Sequence, residues 1–126
     1  MKNSVKNKSN ILVAEDEKAY SRALILKLEK NGFSAQGAAD GDEALSILLK
    51  EKFDLLILDL IMPKKNGFAV LEELKERKII IPVIVLSNLN QEEDVKKVKA
   101  LGAKLSIEKS NTPISEIIKI VQDVLK

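Results

Sequence analysis

From residue 11 onward, short apolar runs alternate with longer stretches in which apolar positions recur every three or four residues, and the alternation repeats five times. An unbroken apolar run of about four residues reads as a strand buried on both faces, whereas the wider spacing reads as a helix with one apolar face. Strands are predicted over 11–14, 34–38, 55–58, 83–86 and 105–107, and helices over 19–31, 42–50, 68–77, 91–101 and from Pro113 onward. The first helix carries Ala23, Leu24, Ile25 and Leu28 and stops at Asn31-Gly32, a pair suited to left-handed backbone. Ala44, Leu45, Leu48 and Leu49 form the apolar face of the second helix, Val70, Leu71 and Leu74 that of the third, and Val95, Val98 and Leu101 that of the fourth. The last places Ile114, Ile117, Ile118, Val121, Val124 and Leu125 on one broad face with Ile120 at its margin. Pro113 suits its first turn, where a missing N–H costs little.

Five strand–helix units in 126 residues point to an α/β, doubly wound three-layer sandwich around a five-stranded parallel sheet. The order 2-1-3-4-5 fits this length better than a six-stranded dinucleotide fold. Right-handed crossovers then bring functional groups to the carboxyl ends of the strands, near the switch point between the first and third. One domain over 11–126 is expected.

Composition narrows the chemistry. The chain has no Cys and no His, which removes disulfides, thiolate nucleophiles, Cys-based zinc sites, imidazole bases and any phosphohistidine. Carboxylates, hydroxyls and Lys remain. The net charge of +2 is uneven, because Lys2, Lys6 and Lys8 lie in a Lys-, Asn- and Ser-rich stretch, 1–10, that reads as a disordered basic lead-in. Beyond it stand 18 basic and 19 acidic residues, a balance that argues against nucleic-acid binding. No apolar run reaches the roughly 20 residues of a membrane span, nor does the N-terminus carry a secretory pattern. A cytoplasmic protein is expected.

Polar residues follow directly on four of the predicted strands. Glu15 and Asp16 come after Ile11-Leu12-Val13-Ala14, Asp59 after Leu55-Leu56-Ile57-Leu58, Ser87 after Val83-Ile84-Val85-Leu86, and Lys109 closes the fifth unit. Alone, each is an ordinary cap or turn residue. Together, they converge on one sheet edge, where three carboxylates crowd unless a cation sits among them or one stays protonated. Oxygen ligands in an incomplete carboxylate cage suit Mg²⁺. A phosphoryl group is the natural visitor: Mg²⁺ and Lys109 neutralise its charge, Ser87 donates to it, and a carboxylate attacks it. Asp59, on a central strand and not one of an adjacent pair, is the best nucleophile.

The chain from residue 11 to 126 resembles the receiver domain of two-component response regulators. The resemblance rests on Ile11-Leu12-Val13-Ala14-Glu15-Asp16-Glu17, Asp40-Gly41-Asp42-Glu43-Ala44-Leu45, Phe53 through Pro63, Asn66-Gly67-Phe68, Pro82 through Ser87, and Ala100-Leu101-Gly102-Ala103. It implies a flavodoxin-like fold in which Asp59 accepts a phosphoryl group from a sensor histidine kinase or a histidine phosphotransfer protein. Asp16 would ligate Mg²⁺ directly and Glu15 through water, with Asp59 and the backbone carbonyl of Ile61 completing the protein's share. Ser87 and Lys109 would contact phosphoryl oxygens, and Pro63 and Gly67 would shape the loop beneath, Gly67 by permitting positive φ. The implied protein is not an enzyme beyond its own phosphorylation and dephosphorylation. With 126 residues ending at the fifth helix, it is expected to stand alone and to signal by contacts with an unknown target or a second copy, through the fourth helix, fifth strand and fifth helix.

Four positions depart from the family pattern. Ser106 stands where an aromatic switch residue is usual, and Ser110 where a cis-proline is usual after Lys109. Asn88 replaces a small residue, so that it either narrows access to Asp59 or donates to a phosphate oxygen. Ile61 and Leu89 replace polar groups that orient hydrolytic water. Ser106 and Ser110 favour a second reading, a pseudo-receiver that works as a phosphorylation-independent interaction module. A phosphatase of the haloacid dehalogenase type is disfavoured by Ile61, where such enzymes carry a second Asp. Apolar groups at both water-orienting positions exclude the water, and the aspartyl phosphate is expected to decay slowly. Loading with a small phosphodonor and following loss of the phosphoryl group checks this; decay within seconds contradicts it.

Overall fold

Leu55–Leu58 is buried at all four positions, and its side chains alternate between two cores, as a strand with a period of two must. Leu56 and Leu58 point into one and Leu55 and Ile57 into the other. Around this strand the computed structural model, which describes residues 8–88 and 92–126, builds five strand–helix units. In chain order they are β1 (Asn10–Ala14), α1 (Lys18–Lys30), β2 (Ser34–Ala38), α2 (Gly41–Lys50), β3 (Leu55–Leu58), α3 (Gly67–Glu76), β4 (Val83–Ser87), α4 (Glu92–Ala100), β5 (Leu105–Glu108), a 3-10 turn (Lys109–Asn111) and α5 (Ile114–Val124). The strands are parallel in the order β2-β1-β3-β4-β5, as the sequence pattern predicts.

One core joins Leu12, Leu56, Leu58, Val83 and Val85 of the sheet to Ala44, Leu45 and Leu48 of α2, Val70, Leu71 and Leu74 of α3, and Val98 of α4. On the opposite face, Ile11, Val13, Leu55, Ile57, Ile84 and Leu86 meet Leu24 and Leu28 of α1 and Ile117, Ile118 and Val121 of α5. The helices are anchored unequally. Alpha-5 and α1 each bury three residues, whereas α4 buries Val98 alone and adds a Lys97 ammonium 4.5 Å above the Phe68 ring of α3.

Local signals set the boundaries. Asp40 caps α2 by accepting from the Glu43 N–H at 2.8 Å, and the Glu43 carboxylate reaches back to the Ala39 N–H, a reciprocal arrangement that satisfies donors at the helix start. Asn66 caps α3 through the Ala69 N–H at 2.9 Å. Gly32, just past α1, takes φ 91°, the left-handed stop expected there. Pro113 sits one position earlier than expected, at the N-cap of α5, where its carbonyl accepts from Glu116 and Ile117.

Other differences from expectation are local. Beta-1 begins at Asn10, and the Ser9 carbonyl already accepts from Ser34 at 2.8 Å; residues 1–7 of the expected lead-in lie outside the described residues. Beta-4 and β5 each run one residue further than predicted, pairing Ser87 with Glu108. Ala23 and Leu49 face solvent. Each neighbours a buried Leu, and a single step turns a side chain about 100° around the helix. Ile57→Ala should therefore destabilise the domain by about 2–5 kcal/mol, against less than about 0.5 kcal/mol for Leu49→Ala, as read from urea unfolding.

Candidate functional site

The carboxyl ends of β1, β3, β4 and β5 open on a cleft of about 380 Å³ lined by Glu15, Asp16, Glu17, Asp59, Ile61, Ser87, Asn88 and Lys109. Backbone pairing places the acids: the Glu15 N–H donates to Ala38 and the Asp59 N–H to Ala14, each at 3.0 Å. Carboxylate oxygens of Glu15, Asp16 and Asp59 lie within 4.8 Å of one another. Glu15 and Asp59 are buried, and Asp16 is exposed at the rim. Ser87 is 1 % exposed at the end of β4.

Lys109 crosses this edge from the start of the 3-10 turn. Its Nζ lies 2.7 Å from Glu15 Oε1, 3.2 Å from Glu17 Oε1 and 3.7 Å from Asp59 Oδ2. The same ammonium stands 4.5 Å above the Tyr20 ring of α1, a cation–π contact that gains from partial desolvation. All peptide bonds of the described chain are trans, so Lys109 reaches the acids without a cis bond after it.

Electrostatics follow from burial. Desolvation pushes the Glu15 carboxyl above its ordinary range and the Asp59 charge adds to this, against the pull of Lys109 and of the Glu17 N–H. Desolvation also raises Asp59, and Asp16 adds to it, while Lys109 and the Ile61 N–H oppose. Burial draws the Lys109 ammonium down, but the bonds and charges of Glu15, Glu17 and Asp59 outweigh it and hold Lys109 above its usual range.

The loop beneath differs from expectation in one respect. Positive φ falls on Lys64, at 67°, and not on Gly67. Gly67 is required for another reason: a Cβ there would lie 2.5 Å from the Asp59 carbonyl oxygen, so the start of α3 packs directly on the backbone of the candidate nucleophile. The Ile61 side chain is 59 % exposed, and its N–H donates to Asp59 Oδ1 at 3.3 Å. Leu89 lies outside the described residues, and Ser106 is half-buried on β5.

All five predicted side chains, Glu15, Asp16, Asp59, Ser87 and Lys109, meet in one cleft. Sequence reasoning did not single out Glu17 or Tyr20, and it placed Asn88 without its partner: Asn88 Oδ1 accepts from the Ser110 N–H at 2.8 Å. The position of Tyr20 one turn into a helix that starts beside the acid pair was the available signal for its contact.

A family model described as the response regulator receiver domain matches residues 11–122. The chain belongs to the response regulator receiver family. This receiver is 30 % identical to the Francisella response regulator 1452 receiver domain, with a TM-score of 0.89 over 94 % of this chain and 97 % of that one. The response regulator protein TrrA from Thermotoga maritima, solved in complex with Mg²⁺ and BeF, matches at 27 % identity and a TM-score of 0.80 over 93 % of this receiver and 99 % of TrrA. Over 95 residues the receiver is 37 % identical to the alkaline phosphatase synthesis transcriptional regulatory protein PhoP of Bacillus subtilis, covering 75 % of this chain and 38 % of PhoP. The receiver spans less than half the length of the curated relatives it matches first. Among its described residues no helix is long and apolar enough to cross a membrane.

Because Glu15 and Asp59 bind protons more tightly in the folded chain than in the unfolded one, the metal-free receiver should lose stability as pH rises. The loss runs from the ordinary carboxylate range, about 4, up through their raised range, with Lys109 charged throughout. Asp59→Asn removes one of these groups and should stabilise the metal-free receiver near neutral pH, measured by urea unfolding in EDTA. A less stable variant would show that the pairing with Lys109 outweighs desolvation.

Proposed function

We propose that the receiver accepts a phosphoryl group on Asp59 from a sensor histidine kinase or a histidine phosphotransfer protein in a Mg²⁺-dependent reaction, and signals by phosphorylation-dependent protein contacts. The observation that carries this reading is the meeting of three carboxylates, a buried hydroxyl and an ammonium at one sheet edge. An all-oxygen donor set with two carboxyls raised by burial fits a hard divalent cation. Glu15, Asp16, Asp59 and the Ile61 carbonyl are the groups proposed to hold it. Once bound, Mg²⁺ supplies positive charge against the carboxylates and the incoming phosphoryl oxygens.

An Asp59 carboxylate oxygen attacks phosphorus, and the P–N bond to the donor imidazole breaks with its electron pair passing to the ring nitrogen. Lys109 sits 3.7 Å from Asp59, close enough to neutralise charge on the transferred group, and Ser87 offers a hydroxyl from a rigid strand end. Both act by fixed charge and dipole, with little reorganisation during the transfer. The absence of His leaves this chain as acceptor and not as phosphohistidine donor. Output is proposed to pass through α4, β5 and α5 to a separate target or to a second copy, at a cytoplasmic location.

Ser106, in place of an aromatic, favours a second reading in which the fold serves as a phosphorylation-independent module. A titration with beryllofluoride and Mg²⁺ followed by NMR separates the two. Resonances of Asp59, Ser87 and Lys109 should shift together, and a titration without shifts there leaves the module. With a small phosphodonor, uptake should vanish in Asp59→Asn and in EDTA, and fall about 10²-fold in Lys109→Ala.

A further inference from the structure

Ser87 ends β4, and Lys109 follows directly on β5, whose ladder with β4 ends at the Ser87–Glu108 pair. Beyond that pair the backbone ladder stops, and Lys109 opens the 3-10 turn. The turn that carries it is held from within: the Thr112 hydroxyl donates to the Glu108 carbonyl at 2.8 Å, and the Asn111 amide donates to the Glu108 carboxylate. A backbone N–H of the turn is also held from outside. Asn88, the residue after Ser87, accepts through Oδ1 from the backbone N–H of Ser110, the residue after Lys109, at 2.8 Å.

This contact works as an additional rung made by a side chain where the backbone ladder stops. It requires a donor N–H at position 110, which Ser supplies, and an acceptor that extends beyond the backbone of position 88, which the two-bond reach of Asn supplies. Lys109 is thereby fixed on both flanks, by Glu108 in the ladder and by Ser110 on Asn88. Its long side chain, otherwise rich in rotamers, starts from a set origin and runs between the Tyr20 ring and Glu15.

We propose that Asn88 and the Ser110 N–H form a clasp that positions Lys109; Asn88 is a positioning residue acting through Lys109. The part of this concerning phosphorylation rests on the function proposed above. Two sides of the cleft, the one offering a hydroxyl and the one offering an ammonium, then move as one unit and not as independent loop ends.

The test is a double-mutant cycle on the full chain, comparing wild type, Asn88→Ala, Lys109→Ala and the pair. Phosphorylation by acetyl phosphate in Mg²⁺ is measured beside hydrogen exchange of the Ser110 amide. Loss of one hydrogen bond should slow phosphorylation of Asn88→Ala by about 3- to 10-fold and speed Ser110 exchange by a similar factor. In the Lys109→Ala background Asn88→Ala should slow the reaction no further. Equal slowing in both backgrounds, or unaltered Ser110 exchange in Asn88→Ala, overturns the clasp. Should wild type take up no phosphoryl group, the proposed function fails, and the clasp is decided by Ser110 exchange together with the Lys109 ammonium resonance, which must shift in Asn88→Ala.

Discussion

A single ammonium set against several carboxylates is the interaction on which the edge of this sheet depends. Lys109 touches Glu15 and Glu17 and stands near Asp59, and without it the buried acids would repel one another in a medium too poorly hydrated to screen them. The geometry that creates this problem is also what makes the site useful. Parallel strands end in register, so residues that follow apolar runs far apart in sequence are delivered to one place. A sheet buried on both faces then keeps water away from their inner sides.

The acid cluster and its cation belong to different units of the fold, and the cation arrives last in the chain. Its position rests on a sequence of fixed links. The β4–β5 ladder ends at Glu108, the 3-10 turn is tied back to Glu108, and Ser110 is bonded to Asn88. No peptide bond of the described residues is cis, and hydrogen bonds from Ser110, Asn111 and Thr112 hold the turn that carries Lys109. The departures at positions 88 and 110 are thus structurally paired.

Much of this was legible in the sequence because it depends on chain order and polarity. Apolar runs without alternation marked β1, β3 and β4, the polar residues directly after them were Glu15, Asp16, Asp59 and Ser87, and Lys109 closed the fifth unit. What escaped was of another kind. Glu17 and Tyr20 matter through where their side chains lie relative to Lys109, some 90 residues later, and no local pattern encodes such a contact. Gly67 was read as a left-handed turn residue, but its role is the clearance between α3 and the Asp59 carbonyl, which only the packed chain reveals. Ala23 and Leu49 were assigned to the core by composition of the apolar stripe, where a one-residue rotation decides between core and solvent.

The unequal anchoring of the helices has a mechanical meaning. Displacing α5 as a body would expose Ile117, Ile118 and Val121, whereas shifting α4 exposes Val98, with a cost nearer the roughly 1.5–3 kcal/mol of one buried side chain. The stiffness of the molecule is therefore uneven: firm where α1, α2, α3 and α5 pack on the sheet, and compliant at α4. Work done at the cleft will be converted to movement where the restoring force is smallest.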